Sequence, residues 1–159
     1  MASNKDYYHA LEVYRALCAS LDEMDWVYQK DDEKLLVSFG VSGHDVPMSF
    51  VALVDADRQI LRLLSFFPFN APTDRIIEMA VAVSVINYRL AMGSFNLNLG
   101  SGEIYFRLNS SFRDSLISTE LIQSLVSVAC STIDEYNDKL LALGNDEMTI
   151  QEFIREYSD

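Results

Sequence analysis

The stretch Ile76-Ile-Glu-Met-Ala-Val-Ala-Val-Ser-Val-Ile-Asn-Tyr-Arg-Leu90, a break at Gly93, and then Phe95-Asn-Leu-Asn-Leu99, Gly100-Ser-Gly102, Glu103-Ile-Tyr-Phe-Arg-Leu108 decides the fold. Its second half reads as a β-hairpin. Phe95, Leu97 and Leu99 alternate with Asn96 and Asn98, and Ile104, Phe106 and Leu108 alternate with Tyr105 and Arg107. Two glycines in the short loop between them are hairpin chemistry. The first half is ambiguous, because Ala80 to Val85 alternates like a strand and is rich in β-branched residues. Its length exceeds a usual strand, Pro72 suits a first helical turn and Asp74 suits a helix N-terminus, so we read it as a helix. Apolar residues occupy nearly every side of it, which predicts cover on more than one side.

Working outward, Lys5 to Glu23 reads as an amphipathic helix with Tyr7, Leu11, Tyr14, Cys18 and Leu21 at helical spacing, Tyr8 and Leu17 widening the stripe, and a cap at Ser3 or Asn4. Strands follow at Trp26 to Lys30, Lys34 to Val41, Val46 to Val54 and Gln59 to Phe67, joined by short turns that imply an antiparallel meander. Beyond the hairpin, Ser118 caps a long helix to about Leu143. Its stripe is Ile122, Leu125, Val126, Ala129, Ile133, Tyr136 and Leu140. Gly144-Asn145 stops it. Thr149-Ile-Gln-Glu152 is a capping box for a last short helix bearing Phe153, Ile154 and Tyr157. The order α-ββββ-α-ββ-α-α segregates strands from helices, which is the α+β class with an antiparallel sheet. Residues 1–143 read as one domain, with 144–159 a capped helix packed on it or extending from it.

The central strands are apolar on both faces. Leu36, Val51, Leu53, Leu61, Leu63 and Phe67 form a candidate second apolar surface. Monomers rarely expose large apolar patches, so cover by another helix of the chain is the expectation and a bound partner the rival.

Half of the 159 residues are hydrophobic and the net charge is −12, with a pI near 4.4. Such acidity speaks first to solubility. It argues against nucleic-acid and anionic-membrane partners, which require basic surfaces. Cys18 and Cys130 fall on or near apolar helix faces, too few for a disulfide framework, and no apolar run reaches membrane-spanning length, so a reducing cytoplasm is expected.

No constellation for chemistry emerges. His9 and His44 lack partner ligands at metal spacing, and no GxSxG elbow, HExxH or cysteine pair exists. Gly100-Ser-Gly102 lacks the lysine and the following helix of a phosphate loop. Asp31-Asp32-Glu33 and the Asp55, Asp57 pair read as turns. Neither a cofactor nor a metal is expected, and the chain reads as a non-enzyme.

The residues Ile86-Asn-Tyr-Arg-Leu-Ala-Met-Gly-Ser-Phe-Asn-Leu-Asn-Leu99 with Glu103-Ile-Tyr-Phe-Arg107 resemble the YbjN-like domain family, also called bacterial sensory transduction regulators. The matching positions are Asn87, Gly93, Phe95, Leu97, Glu103, Ile104, Phe106 and Arg107. The resemblance covers about Leu11 to Leu143. It implies a type III secretion chaperone-like fold, whose members are small, often acidic, usually homodimeric, and in many cases bind extended segments of client proteins. From this resemblance a homodimer is expected through Met79, Val83, Ile86 and Phe95. The expected function is a protein- or peptide-binding module, chaperone-like or regulatory. The rival readings are an indirect stress- or motility-type regulator without a client, and an enzyme with a cryptic site.

Overall fold

The structure, a computed structural model, describes residues 3–157. Helix α1 runs Asn4–Glu23. It is opened by a capping box in which the Ser3 hydroxyl accepts from the Asp6 N–H while the Asp6 carboxylate accepts from Ser3. Four strands follow: β1 Tyr28–Asp31, β2 Leu36–Val41, β3 Met48–Asp55 and β4 Ile60–Asn70. After a single 3-10 turn at Thr73–Arg75, α2 occupies Ile76–Arg89, so the ambiguous apolar stretch is a helix. Strands β5 Ser94–Leu97 and β6 Glu103–Ser111 form the hairpin. Helices α3 Thr119–Gly144 and α4 Ile150–Tyr157 complete the chain.

The α+β architecture is as read. All six strands pair antiparallel in the order β1-β2-β3-β4-β6-β5. The hairpin enters through β6, which lies beside β4, and leaves β5 as an edge. Several boundaries move. The first strand begins at Tyr28 and not at Trp26, Pro47 stands outside β3, and β4 runs on to Asn70 through an irregularity between Phe66 and Asn70. That irregularity falls at Pro68, which has no N–H for a ladder.

One face of the sheet carries the core. Val37, Phe39, Phe50, Ala52, Val54, Leu61, Leu63, Phe95, Ile104, Phe106 and Leu108 are all buried. They meet across strands as Val37–Ala52, Ala52–Leu63 and Leu63–Leu108, and the Phe39 and Phe50 rings stack at 5.2 Å. The α3 stripe from Ile122 to Leu140 is buried as read. In α1 the buried set is Ala10, Val13, Tyr14, Leu17, Ser20 and Leu21; Tyr14, Leu17 and Leu21 of the stripe are core as read, whereas Tyr7 and Tyr8 are exposed. The two helices lie together, and Ser20 ties them by donating to the carbonyls of Ala16 and Thr119 at 2.7 and 3.2 Å.

Helix α2 corrects the dimer expectation. It packs against β5, α3 and α4, and Met79, Val83, Ile86 and the β5 residue Phe95 are buried inside the chain. These four residues are core and not an interface. The all-round apolar helix is covered on its inner side by its own chain. Placing a carboxylate at 83 would bury a charge without a partner. Val83→Glu should therefore cost about 4 kcal/mol or more, most of an ordinary domain's stability. Loss of the cooperative thermal transition would show it; a soluble, fully folded Val83→Glu protein would contradict the assignment.

Candidate protein-binding surface

The motif positions of the hairpin close one end of the sheet. Asn87, in the last turn of α2, reaches the outer edge of β5. The Phe95 N–H donates to Asn87 Oδ1 at 2.8 Å, and Asn87 Nδ2 donates to the Phe95 carbonyl at 2.9 Å. A side-chain amide thus stands where a neighbouring strand would pair, which protects this edge. Gly93 has φ +75°, and a Cβ there would lie 2.3 Å from the Phe106 ring. Only glycine lets the chain turn so close to that ring. Gly102, also at φ +75°, donates to the Asn98 carbonyl at 2.8 Å and accepts from the Ala71 N–H at 2.7 Å. Phe95, Ile104 and Phe106 are core, with the Phe95 and Phe106 rings edge-to-face at 5.1 Å; Leu97 is half-buried. Glu103 and Arg107 are exposed.

The second sheet face has a different membership from the one expected. The β3–β4 turn pairs Asp55 with Ile60, so Val54 lies opposite Leu61 and Ala52 opposite Leu63. Leu61 and Leu63 therefore share the buried face, and Phe67 packs edge-to-face on the core residue Phe95 at 5.7 Å. The outer face keeps Leu36, Val51 and Leu53 and gains Ile60, Leu64, Phe66 and Tyr105. The pairs there are Leu36–Leu53, Val51–Leu64 and Phe66–Tyr105, the last with rings 5.5 Å apart. Phe66 is 41% exposed and the others are half-buried. The signal was present in the turn length, since a hairpin turn sets which residues face one another. No described helix covers this face: the buried residues of the sheet all lie on the other side, where the helices pack. The expectation of intramolecular cover is overturned for Leu36, Val51 and Leu53.

Two arginines stand on this outer face. Arg107 lies opposite Leu64, and Arg62 opposite Leu53. Arg62 is held by Asp55 at 3.0 Å, and Asp55 also pairs with Arg58 at 3.1 Å and accepts from its backbone N–H at 2.9 Å. Burial pushes the Asp55 carboxyl up, but these bonds and both guanidiniums outweigh it and hold it below the ordinary carboxylate range.

The outward side of α2 is the second apolar surface, and the sequence reading missed it. Val81, Ser84 and Tyr88 stand about one, two and three turns beyond Ile77 on it; Ile77 is 69% and Tyr88 94% exposed. Their helical spacing was the available signal.

Reactive chemistry finds little support. Burial pushes the Cys130 thiol up to about 11 and raises that of Cys18, the opposite of an activated nucleophile. His9 is a tether: its Nε2 donates to the Ser115 carbonyl at 2.7 Å, and its Nδ1 lies 3.1 Å from Gln59 Oε1. Gln59 in turn donates to the carbonyls of Asp6 and Ala56. The open cleft beside them, about 930 Å³, is lined by charges of both signs, among them Lys5, Asp6, Glu12 and Arg113. Among the described residues no group of three His, Cys, Asp or Glu could hold a metal ion, and no helix is long and apolar enough to cross a membrane.

No curated protein matches the chain. A family model does, over residues 15–142: YbjN, "Putative bacterial sensory transduction regulator". The chain belongs to the YbjN family. The crystal structure of YbjN from E. coli, described as "a putative transcription regulator", is similar at a TM-score of 0.61 and 11% identity, covering 79% of this chain and 91% of that one. The chain is also similar to a structure of the ExsC–ExsE complex, at a TM-score of 0.54 and 12% identity over 80% and 92% of the two chains. Both likenesses show a shared fold, and the α+β fold implied by the hairpin motif holds. Helix α4 of this YbjN-family chain begins beyond the matched residues.

The Asp55 cluster has a pH signature. A carboxyl held low in the folded state stabilises above its unfolded value, near 3.9, and that stability is lost as pH falls through the folded value. Asp55→Asn should cost about 2 kcal/mol at pH 7. The difference from the unmodified chain should shrink below about pH 4. Urea melts at pH 7 and pH 3 check this; an equal cost at both would remove the charge argument.

Proposed function

We propose that this chain is a non-enzymatic protein-binding module that seats a client segment on the outer face of its sheet and works as a homodimer. The observation that carries the reading is the uncovered apolar centre of that face, Leu36, Val51, Leu53, Leu64 and Phe66. An apolar surface of this kind, bordered by polar and charged residues, is a protein contact more often than an idle surface. Asn87 occupies the β5 edge at Phe95, which favours binding across the face over strand addition at that edge. Arg107 gives the face an exposed cationic group in a chain of net charge −12, so a client with a carboxylate beside its apolar residues fits best. The ExsC–ExsE neighbour is itself a complex of two proteins. The family's regulator description is compatible, since holding a partner is a way to regulate it. The acidic chain leaves nucleic acid outside this reading, and two free cysteines suit a reducing cytoplasm.

For the homodimer, the outward stripe of α2 replaces the buried residues. Two copies of α2 packed antiparallel about a two-fold axis would set Ile77 of one opposite Tyr88 of the other, and Val81 opposite Ser84. The small Ser84 lies near the centre, where close approach is needed. Sedimentation should show a species of two 18.0 kDa chains. Val81→Glu should give a folded monomer. A wild-type chain that stays monomeric at about 100 μM would end the dimer reading, since a Kd above that corresponds to a very weak contact.

Client binding is tested separately. A photoreactive residue at position 64 should crosslink to a partner that one at position 121, on α3, does not reach. Leu64→Asp should lose that partner while its thermal unfolding stays cooperative. Retention of the same partner by Leu64→Asp would contradict the sheet-face site.

A further inference from the structure

Asn137 stands four residues after Ile133 in α3, so both project from the buried side of the helix. Asn137 is 1% exposed. Neither its Oδ1 nor its Nδ2 has a hydrogen-bond partner among the described residues. A buried amide without partners is costly, and folded chains give nearly all such groups a protein or water partner. The same side chain elsewhere in this fold is fully used: Asn87 exchanges two bonds with the backbone of Phe95.

A cavity of about 10 Å³ lies against Asn137. Ile133 of α3, Pro47 and Met48 where β3 begins, and Ser65 and Pro68 of β4 help to line it. The space exists because the ladder stops there. The register of β4 with β3 ends at the pair Ser49–Phe66, and its register with β6 breaks off at Phe66 and resumes at Asn70. Neither proline has an N–H with which to close the gap. One wall is fixed from α3 itself. Asp134, a turn before Asn137, accepts from the His44 N–H at 2.7 Å and so ties the β2–β3 connection to the helix.

We infer that this cavity binds one water molecule, which bridges the Asn137 amide to the sheet. Size and chemistry both select water. A space of about 10 Å³ admits one water and no larger ligand. A cation would satisfy Oδ1 alone and an anion Nδ2 alone, whereas water can donate to the first while accepting from the second. Ser65, also 1% exposed, lines the same space, and its hydroxyl is the third partner that a buried water ordinarily finds. The water thus carries the contact between α3 and β4 across the point where the backbone ladder is missing. The site is separate from the client face and from the outward side of α2, and it stands whether or not those surfaces bind anything.

The test uses the full chain. A crystal structure should show an ordered water within about 3.2 Å of the Asn137 amide and of Ser65 Oγ. In solution, the Asn137 Nδ2 protons should show cross-relaxation with a long-lived water in water-selective NMR. A dry cavity, or an Asn137 amide turned onto a protein carbonyl or N–H, would overturn the inference. Asn137→Leu tests the bridge by its sign. If water links Asn137 to Ser65, an apolar side chain breaks the link and the melting temperature should fall by about 3 °C or more. If Asn137 is instead an unbridged buried amide, its replacement by leucine removes a liability. A melting temperature equal to or above that of the unmodified protein would therefore count against the bridging water.

Discussion

The pairing of Asp55 with Ile60 across the β3–β4 turn sets the register of the two central strands, and the rest of the molecule depends on it. Side chains in a strand alternate between faces, so a slip of one residue would exchange the two faces completely. With this register, Phe50, Ala52, Val54, Leu61 and Leu63 join one buried face that α1 and α3 cover. The same register sends Val51, Leu53, Leu64 and Phe66 to the other side, where no described helix lies. Asp55 reinforces the pairing from the outer face, since its carboxylate grips both Arg58 in the turn and Arg62 on the returning strand.

The far end of the sheet is held by a different device. Asn87 pairs with the backbone of Phe95 and joins α2 to the β5 edge, while Gly93 brings the connecting chain against the Phe106 ring. Helix and hairpin are thereby one unit. That coupling turns Met79, Val83 and Ile86 inward and leaves Ile77, Val81 and Tyr88 outward. The helix is apolar all round because one side is core and the other is an open surface. The short α4 packs on the covered side.

These features describe recognition by area and shape more than by reacting groups. The thiols are pushed away from the reactive thiolate, and the histidine that is most engaged spends its ring nitrogens on holding α1 to neighbouring loops. Membership of the YbjN family, whose description is that of a regulator, agrees with that emphasis.

Local pattern determined the element order, the caps at Ser3, Ser118 and Thr149, the hairpin at Gly100-Ser-Gly102 and the family, because capping, turn chemistry and periodicity act over a few residues. The length of the apolar run and its proline and aspartate were enough to choose helix over strand for α2. The faces were another matter. Whether Leu61 and Leu63 sit with Val54 or with Leu53 depends on pairing between strands, and whether Val83 is core or surface depends on which helices pack there. Those are contacts between residues far apart in the chain, and an apolar side chain carries no mark of which apolar neighbour it will meet. Only the tertiary structure decided them, and with them which surfaces were left open to a partner.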